Sequence, residues 1–248
     1  MNDKKDIVGR IHSIETCGTL DGPVIRYVVF MQGCHLRCMY CHNPDTWSGA
    51  SGTKMHVNEI IRDAIKYKSY FQFSGGGLTL SGGEPLLQPD FGLKLFWECK
   101  REGLHTTLDT SGHVPLTDTI REILANTDLV MLDMKSIDEH TFKKVTGQPL
   151  RPQLEFAEYL KKQNIKVWVR FVYVPDLTDN EKELHQMAEF IKQMPNVEAT
   201  YILPFHQMGM PKWETLGLDY QLTHHRVPSE EETLQVKELF RGYGLEIR

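Results

Sequence analysis

Short runs of β-branched and aromatic residues alternate along this chain with stretches in which apolar side chains recur every three or four positions. Runs of the first kind lie at 24–32, 77–81, 104–109, 128–133, 165–174 and 197–203 and read as strands. Stretches of the second kind lie at 57–71, 91–102, 117–125, 138–145 with 154–162, and 181–194, and read as helices. A last helix is expected over 229–241, where Ser229 and Glu232 stand at capping-box spacing. An N-terminal strand over 7–16 would cover an edge or one end of the fold.

Strand, helix, strand in repetition means right-handed crossovers and a mostly parallel sheet. The 248 residues match the length of a (β/α)₈ barrel, typically about 250. Only six strands of the repeat can be counted, so an open doubly wound sheet or an incomplete barrel fits better. The unusual side chains favour the barrel. Cys34, Cys38 and Cys41 follow the first strand of the repeat, Gly82-Gly83-Glu84 the second, and Asp109-Thr110 the third. Asp133 and Lys135 end the fourth, Arg170 lies within the fifth and His206 follows the sixth. In parallel α/β architectures the carboxyl ends of the strands carry the site. The chain therefore reads as one domain over 1–248, with an extension to 22, a core over 23–206 and a C-terminal loop and helix over 207–248.

Composition narrows the function without naming it. A hydrophobic content of 40% and a charged content of 25% are those of an ordinary globular protein. A net charge of −5 argues against a general nucleic-acid binder, which needs a basic footprint. The start, MNDKKDIVGR, is charged and does not read as a leader, and the densest apolar run, at 27–31, is far shorter than a membrane helix. A soluble, cytoplasmic protein is expected.

Three of the five cysteines, Cys34, Cys38 and Cys41, crowd into eight residues. In a reducing compartment such a cluster suggests metal before a disulfide. A cubane iron–sulfur cluster usually takes four cysteines; three leave one iron open to a substrate. Other readings compete. A structural zinc could use the three thiolates and His42, but zinc sites usually draw two ligand pairs from separate segments. The run Cys38-Met39-Tyr40-Cys41-His42 also fits a c-type haem attachment, which demands export and leaves Cys34 unexplained. A thioredoxin-like dithiol would sit at a helix start in a much smaller fold. Cys99, beside Phe96 and Trp97, reads as a small buried hydrophobe, and Cys17 as core or site lining.

The spacing C-x₃-C-x₂-C, with Tyr40 before the last cysteine, resembles the radical S-adenosylmethionine superfamily. Ser81-Gly82-Gly83-Glu84-Pro85 resembles that family's Gly-Gly-Glu motif. Ile11-His12-Ser13, Cys17-Gly18-Thr19, Asp21-Gly22-Pro23, Gln32-Gly33-Cys34 and Tyr40-Cys41-His42-Asn43 look like the glycyl-radical-enzyme activases within it. So do residues 128–133, Val167-Trp168-Val169-Arg170 and Leu203-Pro204-Phe205-His206. The likeness runs from about residue 7 to the C-terminus.

That resemblance implies a partial (β/α)₆ barrel, a 4Fe–4S cluster on Cys34, Cys38 and Cys41, and S-adenosylmethionine as cofactor. The expected activity is an oxidoreductase one: reductive cleavage of the cofactor, giving methionine and a 5′-deoxyadenosyl radical that takes a hydrogen atom from a backbone glycine. The implied partners are pyruvate formate-lyase, whose glycine loop is the substrate, and a flavodoxin or ferredoxin as electron donor. Cofactor contacts fall by resemblance on Tyr40, Cys41, His42, Gly83, Glu84, Asp133, Met134, Lys135, Arg170 and His206. Among these, Glu84 would receive the cofactor's ammonium and His206 would meet the adenosine. Asp109, Thr110, Asp133 and the Met131 carbonyl would hold a small monovalent or magnesium cation, and Asp21 and Arg170 would meet the partner peptide.

Each assignment has a plainer counterpart. Gly-Gly-Glu also makes a strand-to-helix turn, Asp133 and Lys135 a strand-end ion pair, and Asp21 an ordinary turn aspartate. A buried Arg170 in VWVRFVYV needs an anionic partner of some kind. Two positions depart from the pattern: Val24 stands where glycine is usual, and Ser111 where asparagine is usual. The long segment 207–228, with Trp213, Tyr220 and His224-His225, suggests a lid or a docking element. Other activases of the superfamily differ: many carry eight further cysteines in an inserted domain, whereas residues 42–81 here contain none. The activases of ribonucleotide reductase are shorter, and a zinc-stabilised binding module without catalysis is the alternative from another class.

Overall fold

The computed structural model describes residues 7–248. Residues 1–6, much of the charged start that reads as no leader, lie outside the described residues. The chain packs as two compact units. Of the described residues, the first comprises those up to His35 together with Thr46–Thr110 and Val114–Met131. The second comprises Leu36–Asp45, Ser111–His113 and Leu132–Arg248. Among the described residues no helix is long and apolar enough to cross a membrane.

In the first unit, β1 (Val8–Gly18) pairs antiparallel with β2 (Arg26–Met31) and with the short β3 (Thr53–His56). Two helices follow, α1 (Val57–Ala64) and α2 (Lys68–Ser74), and lead into β4 (Gly77–Gly82). Then come α3 (Pro89–Arg101), β5 (His105–Thr110) and α4 (Asp118–Ala125). β2, β4 and β5 are parallel neighbours. Tyr27, Val28, Val29 and Met31 of β2 are all buried, the signature of a parallel strand covered on both faces. α3 opens on a proline and buries Phe91, Leu95, Phe96 and Cys99, so Cys99 is the small core hydrophobe it resembles.

β6 (Leu129–Asp133) begins in the first unit and ends in the second. The second unit continues through α5 (Glu139–Thr146), α6 (Arg151–Lys162), β7 (Val167–Tyr173), α7 (Glu181–Lys192) and β8 (Val197–Pro204). It ends with α8 (Met210–Thr215) and α9 (Glu230–Gly242). β7 and β8 are parallel, and within the first unit the strand order is β3-β1-β2-β4-β5. Asp138 caps α5 by accepting from the His140 and Thr141 amides at 2.9 Å, and left-handed Gly147 ends it. Ser229 and Glu232 close the capping box that their spacing implies.

The structure differs from the sequence pattern in three places. The helix expected over 57–71 breaks after Ala64 into a 3₁₀ turn, Ile65–Tyr67, before α2. Val57, Ile60, Ile61 and Ala64 keep a helical stripe; beyond it only Phe71 is buried, so the tighter turn resets the face. β3 carries no alternation and is held only by its ladder to β1. The segment 207–228 is not wholly irregular, since it contains α8.

Val24 has φ of +53°, in the left-handed region, and is half exposed. Asn164 and Asp176 share that region, but short polar side chains tolerate it and a β-branched one does not. Relief of about 1–2 kcal/mol of left-handed strain outweighs the roughly 0.5–1 kcal/mol that glycine adds to unfolded-state entropy. Val24→Gly is therefore expected to raise stability by about 1 kcal/mol in urea unfolding. A lower midpoint would show that the turn is not strained.

Candidate active site

The first unit brings the start of the cysteine loop onto the end of β4. Gly83 N donates to the Met31 carbonyl at 3.0 Å, and Glu84 N donates to the Gly33 carbonyl at 2.8 Å. A Cβ on Gly83 would lie 2.3 Å from the Gly33 oxygen and 3.2 Å from the Cys34 Cβ. No side chain fits there, which is why glycine stands at this position. Glu84 is fully buried; its Oε1 accepts from Thr110 Oγ1 at 2.7 Å and from the Leu86 amide at 3.2 Å. Asp109 Oδ2 accepts from Ser81 Oγ at 2.7 Å.

The turn that holds Asp21 is tied from below. Thr79 Oγ1 donates to the Asp21 carbonyl at 2.7 Å and accepts from Arg26 Nε at 2.9 Å. Arg26 is completely buried, and Nη2 also donates to the Leu78 carbonyl at 2.7 Å and Thr107 Oγ1 at 2.9 Å. Loss of solvation lowers its pKa to about 10, still well above neutrality.

The second unit holds the rest of the loop. Arg37 N and Met39 N donate to the Thr146 and Val145 carbonyls, at 2.8 and 2.9 Å, so the last turn of α5 carries residues 37–39. At the end of β6, Asp133 accepts from Lys135 Nζ at 2.8 Å and from Arg170 Nε at 2.6 Å. Burial disfavours the Asp133 charge, but Arg170 and Lys135 more than offset it and keep the carboxyl ionised. Lys135, though desolvated, is held charged by Asp133, and its Nζ lies 5.7 Å from the centroid of the Tyr40 ring. Gln153, fully buried on α6, donates to the Asp133 carbonyl at 2.8 Å and the Ser111 carbonyl at 2.6 Å. Burial pushes the Cys38 thiol up to about 12. The His42 and His206 rings lie 4.3 Å apart, and burial and the second imidazole lower the pKa of His42.

Within each unit, then, sequence-marked residues meet: Cys34 with Gly83, Glu84 with Thr110, and Asp133 with Lys135 and Arg170. The strand-end ion pair of Asp133 and Lys135 is present, with Arg170 added as a second cation. Sequence reasoning did not single out Ser81, Thr79, Arg26, Gln153 or Lys212. Gln153 left a signal, a polar residue on the apolar face of α6. Trp213 was visible only as an aromatic in a long loop, yet its Nε1 donates to the Cys41 carbonyl at 2.8 Å.

The residues fit the implied groups by their own chemistry. The buried Tyr40 hydroxyl and the buried His206 Nδ1 have no hydrogen-bond partner among the described residues, a state that buried polar atoms rarely keep without a ligand or water. Among the described residues no three His, Cys, Asp or Glu side chains converge on a single-ion site. A cubane has no such requirement, because each thiolate binds its own iron.

Residues 28–191 match the family model described as the radical SAM superfamily. The chain is 44% identical to the pyruvate formate-lyase 1-activating enzyme of Escherichia coli (strain K12) over 239 residues, 96% of this chain and 97% of that one. It is 47% identical to the pyruvate formate-lyase-activating enzyme of Clostridium pasteurianum over 216 residues, 87% of this chain and 90% of that one. A solved domain of a pyruvate-formate lyase-activating enzyme from Bacteroides vulgatus superposes with a TM-score of 0.59 at 25% identity, covering 70% of this chain and 98% of that one.

Gly83→Ala forces a methyl group against the Gly33 carbonyl and must move one backbone or the other. Overpacking of this kind costs about 1–3 kcal/mol. The variant is expected to unfold at lower urea and to hold less iron per chain after reconstitution. Wild-type values for both would mean that the approach of the two loops is not tight.

Proposed function

We infer the function of this chain from its family: it belongs to the radical SAM superfamily and, within it, to the pyruvate formate-lyase-activating enzymes. It is an oxidoreductase that activates pyruvate formate-lyase by generating a glycyl radical on it. When bound, the 4Fe–4S cluster and S-adenosylmethionine supply the one-electron cleavage that yields methionine and the 5′-deoxyadenosyl radical for hydrogen abstraction. The observation that carries this reading is the likeness to activating enzymes over 96% of the chain. The family match draws residues from both compact units, which supports treating 1–248 as one catalytic domain.

We assign the protein's part as follows. Cys34, Cys38 and Cys41 hold the cluster and leave one iron for the cofactor. Glu84, kept in place by Thr110, receives the cofactor's ammonium, and Gly83 meets its methionine part. Asp133, Lys135 and Arg170, joined by ion pairs at the end of β6, meet the cofactor. Tyr40, His42, Met134 and His206 complete the contacts, with the unpartnered His206 Nδ1 and Tyr40 hydroxyl as its polar anchors. Asp109, Thr110, Asp133 and the Met131 carbonyl hold a cation; Asp21 and Arg170 meet the glycine loop. A flavodoxin or ferredoxin delivers the electron, and the reaction is cytoplasmic.

The test is electron paramagnetic resonance on an anaerobic mixture of reconstituted protein, reductant, S-adenosylmethionine and inactive pyruvate formate-lyase. A doublet that collapses to a singlet with α-deuterated glycine is expected. A reduced-cluster signal without it would reject the partner. Cys34→Ala, Cys38→Ala and Cys41→Ala are each expected to abolish cofactor cleavage, whereas Cys99→Ala, in the α3 core, keeps it. Cleavage retained by Cys38→Ala would overturn the ligand assignment.

A further inference from the structure

We propose that the segment after β8 is a brace for the cluster loop, with Trp213 and Lys212 as positioning residues that hold Cys41 and His42. The proposal rests on Cys41 being a cluster ligand. Cys41 lies in neither a helix nor a strand, and unsupported loops are mobile. Four contacts from one short stretch fall on residues 41–45. Trp213, 4% exposed, gives its only donor to the Cys41 carbonyl. Lys212 Nζ donates to Asn43 Oδ1 at 2.8 Å and reaches Asp45 Oδ2 at 3.1 Å. Gly209 backs onto His42: a Cβ there would lie 2.9 Å from the His42 Cα and 3.1 Å from the Cys41 oxygen. His206, just before the segment, lies against the His42 ring.

The segment is itself fixed, as a brace must be and a lid must not. Trp213 meets the Tyr220 ring edge-on at 5.3 Å, and Tyr220 and Leu222 are buried. Gln207 Nε2 gathers the Leu222, Thr223 and His225 carbonyls at 3.0–3.2 Å and closes the segment on itself. With α5 holding 37–39, the second unit grips its part of the loop at both ends. Partners that orient a metal ligand change metal affinity about 10–100-fold when removed. The brace therefore acts on cluster retention and on His42, not on partner binding.

The experiment compares wild type with Trp213→Phe, Lys212→Met and Lys212→Arg, each reconstituted anaerobically and challenged with an iron chelator. Iron release is followed by absorbance, S-adenosylmethionine binding by calorimetry, and the apoprotein by thermal unfolding. Trp213→Phe keeps the ring and loses the donor; it is expected to release iron about tenfold faster and to bind S-adenosylmethionine more weakly, with the apoprotein midpoint unchanged. Lys212→Met should release iron severalfold faster and Lys212→Arg at nearly the wild-type rate. Wild-type release from both Trp213→Phe and Lys212→Met overturns the brace. Should Trp213→Phe lower the apoprotein midpoint, the half-exposed Lys212 pair decides: faster release from Met than from Arg upholds the brace, and equal release overturns it. A wild-type protein that takes up no iron and sulfide overturns the cluster assignment itself, a result separate from unaltered release in the variants.

Discussion

Eight residues that carry three thiolates form neither helix nor strand, so their backbone groups must find partners elsewhere. Much of the fold around the site answers that demand. Gly33 N donates to the Thr46 carbonyl at 2.7 Å and Cys34 N to the Trp47 carbonyl at 3.3 Å, so the chain just past the loop folds back onto its start. The Gly33 carbonyl is taken by Glu84 N, which makes Gly-Gly-Glu as much a support of the loop as a cofactor motif. Further on, α5 offers its last carbonyls to Arg37 and Met39. A helix C-terminus has such acceptors free, and Gly147 ends α5 where they remain available.

The same economy governs charge. Holding Asp133, Lys135 and Arg170 together partly out of water is tolerable because the carboxylate gives one oxygen to each cation, while Gln153 fixes the main chain beneath it. Glu84 is a fully buried carboxylate supported by a hydroxyl and an amide.

Local chemistry made much of this legible in the sequence. Runs of β-branched and aromatic residues located the six strands of the repeat, period-3.6 patterns located most helices, and Ser229 with Glu232 announced a helix start that the hydrogen bonds complete. The cysteine spacing carried its meaning because all three proposed ligands come from one stretch. The rest depends on register between distant elements. Arg170 finds Asp133 across 37 positions, and Trp213 finds the Cys41 carbonyl across 172. No pattern within a window encodes such pairs, and a main-chain acceptor leaves no mark on the sequence. β3 was missed for a different reason: three of its four side chains are exposed, so its position comes from the ladder to β1 and not from burial.

Val24 joins local strain to long-range support. A β-branched residue at φ +53° would relax if the turn were free to do so, and a turn so tightly held is not free. Beneath it Arg26 makes five hydrogen bonds, to hydroxyl, carbonyl and imidazole groups, and one of its partners, Thr79, grips the Asp21 carbonyl. Gly22 at φ +135° permits the close approach, since a Cβ there would stand 3.3 Å from the guanidinium. The buried arginine over-determines the backbone, and the strain at Val24 persists because release would break bonds that have no water to replace them. Asp21 is thus presented by a turn whose shape is set from the interior of the first unit, so its geometry can outlast changes at the exposed positions beside it.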